Sequence, residues 1–83
     1  YQRSVLKKAT EVTFSKDGLE VAFIAGGDLW VMDTDLRQPV QISKTSTFER
    51  NPLYSHDGNS IFFIAEKDGQ PDIWRVMRST AIR

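Results

Sequence analysis

The chain has 83 residues, no cysteine, and eleven basic against eleven acidic side chains for a formal net charge of zero. That balance argues against nucleic acid as a partner, since phosphate binding needs a basic surplus on one face, and it removes disulfide stapling as a source of stability. No apolar run approaches the roughly 18 residues of a membrane helix and no signal peptide is evident, so membrane insertion is not expected.

The first nine residues read as the end of a preceding structural unit or a linker, with Ser4–Leu6 a short strand and Arg3, Lys7 and Lys8 a solvated basic cluster. Val12–Phe14 is the next predicted strand. It is followed by the turn Ser15–Gly18, in which Asp17 accepts backbone N–H groups and Gly18 supplies a positive φ. Glu20–Ala25 is almost continuously apolar, the pattern of a strand covered on both faces. Gly26 and Gly27 turn the chain into Asp28–Asp33, and Pro39–Ser43 is a short, half-polar edge strand. Lys44–Arg50 is polar and reads as a connection.

The same order of elements then returns. Asn51–Tyr54, with Pro52 near its start, pairs through the turn Ser55–Gly58 with Ser60–Ala65; Asp57 and Gly58 repeat the roles of Asp17 and Gly18. Glu66, Lys67, Asp68, Gly69, Gln70 and Pro71 read as a surface turn before the strand Asp72–Met77, and Ala81–Arg83 begins a further strand. Phe14, Ser15, Asp17, Gly18, Phe23, Ile24 and Ala25 recur at a spacing of 40, and Asp28, Leu29 and Trp30 recur at 44. A period of roughly 40 to 45 residues built of short strands is the signature of β-propeller blades. The expected fold is therefore all-β, two four-stranded antiparallel blades over residues 10–44 and 45–83, with 1–9 ending a preceding blade. Because two blades cannot close a ring, and because the chain starts at Tyr1 and stops just behind its last strand, it reads as a segment of a larger propeller.

Phe14-Ser15-Lys16-Asp17-Gly18, a hydrophobic strand, and then Asp28-Leu29-Trp30-Val31-Met32-Asp33 resemble the WD-like repeats of the TolB family, approximately F-S-P-D-G followed by D-[LI]-[WY]-V-M-D. The first copy departs at Lys16. The second departs at Tyr54, His56 and Arg75-Val76-Met77. The resemblance implies a six- or seven-bladed propeller, as found in TolB-like periplasmic proteins, in prolyl-oligopeptidase-like enzymes and in tricorn-type proteases. Arg37–Gln41 looks most like the tricorn-type bacterial peptidases. The resemblance thus implies a non-catalytic scaffold or substrate gate in a tricorn-like serine peptidase; the alternative is a TolB-like protein-binding module of the cell envelope. Either implies a periplasmic or envelope location.

Repetition also sorts the candidate site residues. Phe23, Trp30, Phe63 and Trp74 recur at equivalent positions and are assigned to packing between blades. A stacking platform for sugar or peptide is the competing role of the tryptophans. His56 is the only histidine, flanked by Ser55 and Asp57, but Lys16 takes its place between Ser15 and Asp17 in the first copy, so the serines and aspartates are turn residues and no triad is expected. The scattered aspartates form no dense calcium loop, and Gly26-Gly27 lacks the helix and lysine of a phosphate loop. No catalytic residue, metal or cofactor is expected. The unrepeated loop, with Lys67, Asp68 and Gln70, is the candidate partner surface. The partners expected are the remaining blades of the same chain and a protein or peptide, and a two-blade segment with bare sheet faces is expected to self-associate.

Overall fold

The computed structural model describes residues 9–35, 39–43 and 47–78. Seven strands form two antiparallel sheets: β1 (Ala9–Phe14), β2 (Glu20–Ala25), β3 (Asp28–Asp33) and β4 (Pro39–Gln41) in that spatial order, and β5 (Phe48–Tyr54), β6 (Ser60–Lys67) and β7 (Gln70–Met77) in the second. The fold is all-β, in two blade-like sheets of meander topology. The strands expected at Ser4–Leu6 and Ala81–Arg83 lie outside the described residues, as does part of the Arg37–Gln41 segment, so the second sheet has three described strands.

The sheets pack face to face. Ala22, Ile24, Leu29 and Val31 from one side of the first sheet meet Tyr54, Ile61, Phe63 and Ala65 of the second, with Ile42 and Val76 against them. Period-2 alternation places Val21, Phe23, Ala25 and Met32 on the opposite side of the first sheet, where Ala9 and Trp30 pack against them. Phe23 and Trp30 therefore lie on the face turned away from the second sheet, whereas Phe63 lies at the junction. Strand β2 is buried on both faces, as its apolar run predicts. Strand β6 departs from that expectation: Ile61, Phe63 and Ala65 are buried, but Phe62 is exposed. No described sheet lies beyond it, and Leu53, Ile73 and Met77 are exposed with it.

Several boundaries differ from the sequence reading, each for a physical reason. β1 and β5 begin earlier than Val12 and Asn51 because each carries a bulge, between Ala9 and Glu11 and, slightly further along the repeat, between Arg50 and Leu53, which breaks the alternation used to find strands. Phe48–Arg50 accordingly belong to β5 and not to a connection. Pro52 is not near the strand start: it sits inside β5 at the bulge, one of the few strand-interior positions that tolerates a residue without an N–H. Asn51 adopts φ 56° there, and its N–H donates to Glu11 Oε1 of the first sheet at 3.0 Å. β4 ends at Gln41 because the N–H groups of Ile42 and Ser43 both turn back to the Leu29 carbonyl, at 2.7 and 3.3 Å.

A polar clamp joins the sheets at their rim. Tyr54 donates its hydroxyl to Glu20 Oε1 at 2.7 Å, and Arg78 donates from Nε and Nη2 to the two oxygens of the same carboxylate at 3.2 and 2.9 Å. These bonds to Glu20 push the guanidinium pKa further up, against the opposing effect of burial.

Candidate functional site

The two ends of the sheet pair differ. One end carries the two Ser-x-Asp-Gly turns, which are superimposable in their bonding. Ser15 donates its hydroxyl to Asp17 Oδ1 at 2.8 Å, the same oxygen accepts the Leu19 N–H at 2.9 Å, and Ser15 Oγ accepts the Glu20 N–H at 3.0 Å. In the second turn Ser55 donates to Asp57 at 2.6 Å, Asn59 N–H to Asp57 at 2.9 Å, and Ser60 N–H to Ser55 at 3.0 Å. Gly18 and Gly58 have φ of 75° and 79°, a region costly for any residue with a Cβ. The Ser55 hydroxyl, followed by the Asn59 N–H, holds the Asp57 carboxyl below the usual carboxylate range. Both serine hydroxyls are thus spent on turn geometry, each donating to the aspartate of its own turn. His56 stands beside this network and none of these bonds involves it.

The opposite end carries the hairpins β2–β3 and β6–β7. In the first, Gly26 (φ 62°) and Gly27 (φ 82°) form a two-residue turn closing the pair Ala25 and Asp28. In the second, the equivalent pair Ala65 and Asp72 is followed by Glu66 opposite Pro71 and Lys67 opposite Gln70, and the turn itself is Asp68 (φ 53°) and Gly69 (φ 76°). The segment Glu66–Pro71 is therefore not a surface loop. Its four extra residues are two added to each strand, an even number that leaves every side chain on its original face. Lys67 and Gln70 are paired strand residues at the tip, and Asp68 occupies the turn.

Beside this longer hairpin, between the sheets, opens a cleft of about 330 Å³. Phe63, Ala65 and Trp74 supply its apolar wall, Asp72 and Lys67 its exposed polar rim, and Ser43, Thr47 and Glu49 its inner side. Glu49 is only 3% exposed. Thr47 donates its hydroxyl to Glu49 Oε2 at 2.6 Å, Ser43 donates to Oε1, and the Glu49 N–H bonds the Gly27 carbonyl at 2.7 Å. Ser43 Oγ in turn accepts the Leu29 N–H at 3.0 Å. Nearby, burial and then the Glu49 charge raise the Asp28 pKa, and Gln41 Nε2 donates to its Oδ2 at 3.1 Å. Asp28 thus meets the Gln41 side chain, while Asp72, its counterpart in the second copy, lines the cleft.

The two tryptophans part company here. Trp30 donates its indole N–H to the Ala25 carbonyl at 3.3 Å and packs beside Phe23. Trp74 pairs across the ladder with Phe63, the equivalent of Phe23, yet is 57% exposed and lines the cleft. Nothing in the repeat pattern marks Glu49, Ser43 and Thr47 as site residues. The available signal was that Glu49 stands 40 residues after Ala9, an acid where the first copy has a small apolar residue.

No protein-family model and no curated protein matches the chain. Solved structures do. A putative TolB from Agrobacterium tumefaciens shares 27% identity and a TM-score of 0.71 over 84% of this chain, and TolB from Acinetobacter baumannii shares 26% and 0.71 over 83%. The chain spans 28% and 18% of the lengths of those proteins. The repeats are thus TolB-like β-propeller repeats, in sequence pattern and in fold.

Proposed function

We propose that the chain is a non-catalytic part of a TolB-like propeller that acts as a protein-binding module of the cell envelope, completed by further blades. The carrying observation is the likeness to two TolB structures at a TM-score of 0.71 over more than four-fifths of the chain. The chemistry supports this reading: the serines of both turns are engaged with aspartate and backbone, and Lys67, Asp68 and Gln70 at the hairpin end are exposed to solvent. The tricorn-type peptidase reading gains no support from these neighbours. Lys67, Asp68 and Gln70, at the tip of the longer hairpin, are proposed to meet the partner first.

The test combines two measurements on the natural protein that carries this segment. Cross-linking in cells followed by mass spectrometry should recover the same protein partners through the β6–β7 hairpin, and fluorogenic peptides should remain uncleaved. Peptide hydrolysis abolished by a serine-protease inhibitor, or the absence of any cross-linked protein, would refute the proposal.

A further inference from the structure

The cleft beside the β6–β7 hairpin combines three features that the repeat itself does not require. The first is Glu49, a carboxylate almost wholly out of water at a position where the first copy has Ala9. Its oxygens accept hydroxyl bonds from Ser43 and Thr47, but no lysine or arginine among the described residues lies within ion-pair distance of it. A buried carboxylate without a cation is unfavourable, and an incoming cation would relieve that. The second is Trp74, 57% exposed on the cleft wall and on a strand with no described fourth strand beside it, where Trp30, paired with β4, is hydrogen-bonded and packed. The third is Asp72, a second carboxylate on the same lining. An aromatic face and two carboxylates around a small, mostly apolar cleft suit a planar, weakly hydrated cation that can stack and bond at once, which is a guanidinium. A volume of about 330 Å³ lies at the low end for ligand clefts, enough for one long side chain.

We infer that this cleft is an arginine pocket: an arginine of the partner protein lays its alkyl chain on Trp74 and Phe63 and sets its guanidinium between Glu49 and Asp72. The inference rests on the protein-binding reading above and names the chemistry recognised. Lys67 at the rim is the one cation of the lining among the described residues, and it opposes entry of the arginine. It therefore sets an upper limit on affinity that its removal lifts. An anionic ligand is disfavoured by the same two carboxylates.

The experiment uses the 83-residue chain labelled with nitrogen-15 and two probe peptides, acetyl-Gly-Leu-Arg-Ala-Gly-amide and the same peptide with citrulline, a neutral isostere, in place of arginine. The chain has two tryptophans, so its two indole N–H signals report separately, and Trp30→Phe assigns them. The arginine peptide should shift the Trp74 indole saturably and leave that of Trp30 in place, with affinity at least about tenfold above that of the citrulline peptide. D72N and E49Q should each lose about tenfold, and K67Q should gain a few-fold. Should E49Q fail to fold, D72N carries the test, because Asp72 is exposed. Equal responses to the two peptides, a shift at Trp30 instead of Trp74, no response at millimolar peptide, or D72N binding like the parent would each overturn the inference. The two readings also fail separately. Cross-linking of partners unaffected by D72N and E49Q removes the arginine pocket and keeps the binding module; arginine-selective binding in a protein that cross-links no partner does the reverse.

Discussion

Leu29 and Ile73 occupy the same place in the two copies, 44 residues apart, and the structure assigns them opposite energetic weights. Leu29 is 0% exposed in the cluster that joins the sheets, while Ile73 is 77% exposed on the far side of the second sheet. Leu29→Ala removes three carbons at about 0.8 kcal/mol each in transfer free energy, and the unfilled cavity raises the total to about 3 to 5 kcal/mol. Ile73→Ala removes atoms already in water and should cost less than about 0.5 kcal/mol. For a domain of this size, whole-fold stability is on the order of 4 to 12 kcal/mol, so the first change consumes a large part of it and lowers the melting temperature by more than about 12 °C. Urea unfolding of both variants, followed by far-ultraviolet circular dichroism, measures the difference directly. Equal midpoints for L29A and I73A would refute the reasoning. In an intact propeller, where a neighbouring blade covers Ile73, the two costs should converge, which makes the isolated-chain difference a measure of missing cover.

Gly26 and Gly27 both have positive φ, but a Cβ on Gly27 would stand 2.6 Å from Phe48 Cδ1 whereas Gly26 faces open space. Gly26→Ala should cost about 1 to 2 kcal/mol from backbone strain alone, and Gly27→Ala visibly more in thermal melts. Glu20→Ala strips Tyr54 and Arg78 of their shared acceptor across the sheets and should lower stability by about 1 to 3 kcal/mol, measured by urea midpoint. Asp57 has its folded pKa lowered by Ser55, so its contribution is present above the unfolded carboxylate pKa and is lost as pH falls through the lower folded value. A carboxyl-carbon NMR titration should show this, and Ser55→Ala should move the Asp57 midpoint back up. Deleting Glu66, Lys67, Gln70 and Pro71 leaves an Asp-Gly turn on the Ala65–Asp72 pair, like the first hairpin. The amide spectrum should keep its dispersion away from the hairpin; its collapse would show that the extension is needed for folding.

The parts of this fold that were legible in the sequence are those where one residue type has one cause. Glu20–Ala25 spells a doubly covered strand in its apolar run, and Gly18 and Gly58 announce the turns because few other residues accept their φ. The bulges at Ala9–Glu11 and Asn51–Pro52 were illegible, since a single added residue changes the alternation phase without adding a distinctive side chain. Faces were partly legible. The pairing of Phe23 with Trp30, and of Phe63 with Trp74, follows from the repeat, but which sheet lies against each face depends on the order of blades in space. Glu49 was hidden for a different reason: the hydroxyls that bond its buried carboxylate, from Ser43 and Thr47, precede its strand, and no periodicity encodes a contact between a loop and a strand.

Comparison of the copies becomes more discriminating once structure is added. Sequence equivalence alone would class Trp74 with Trp30 as packing, since both follow an aspartate and an aliphatic residue at the same register. Their environments differ in what is paired beside them: β4 runs along β3 and pairs Gln41 with Trp30, whereas no described strand runs along the outer edge of β7, and the hairpin before Asp72 is longer by two residues per strand. A repeated residue can therefore be packed in one copy and exposed in the other. The converse also holds. The Ser-x-Asp-Gly turns keep the same bond pattern in both copies although Lys16 and His56 differ between them, so a change within a repeat motif is not in itself a functional mark. What separates the two cases is where the altered side chain points. Lys16 and His56 stand outside the turn's bond network, whereas Glu49 holds a carboxylate out of water on the cleft lining, bonded there by the Ser43 and Thr47 hydroxyls, and only the second changes the polarity of a concave surface.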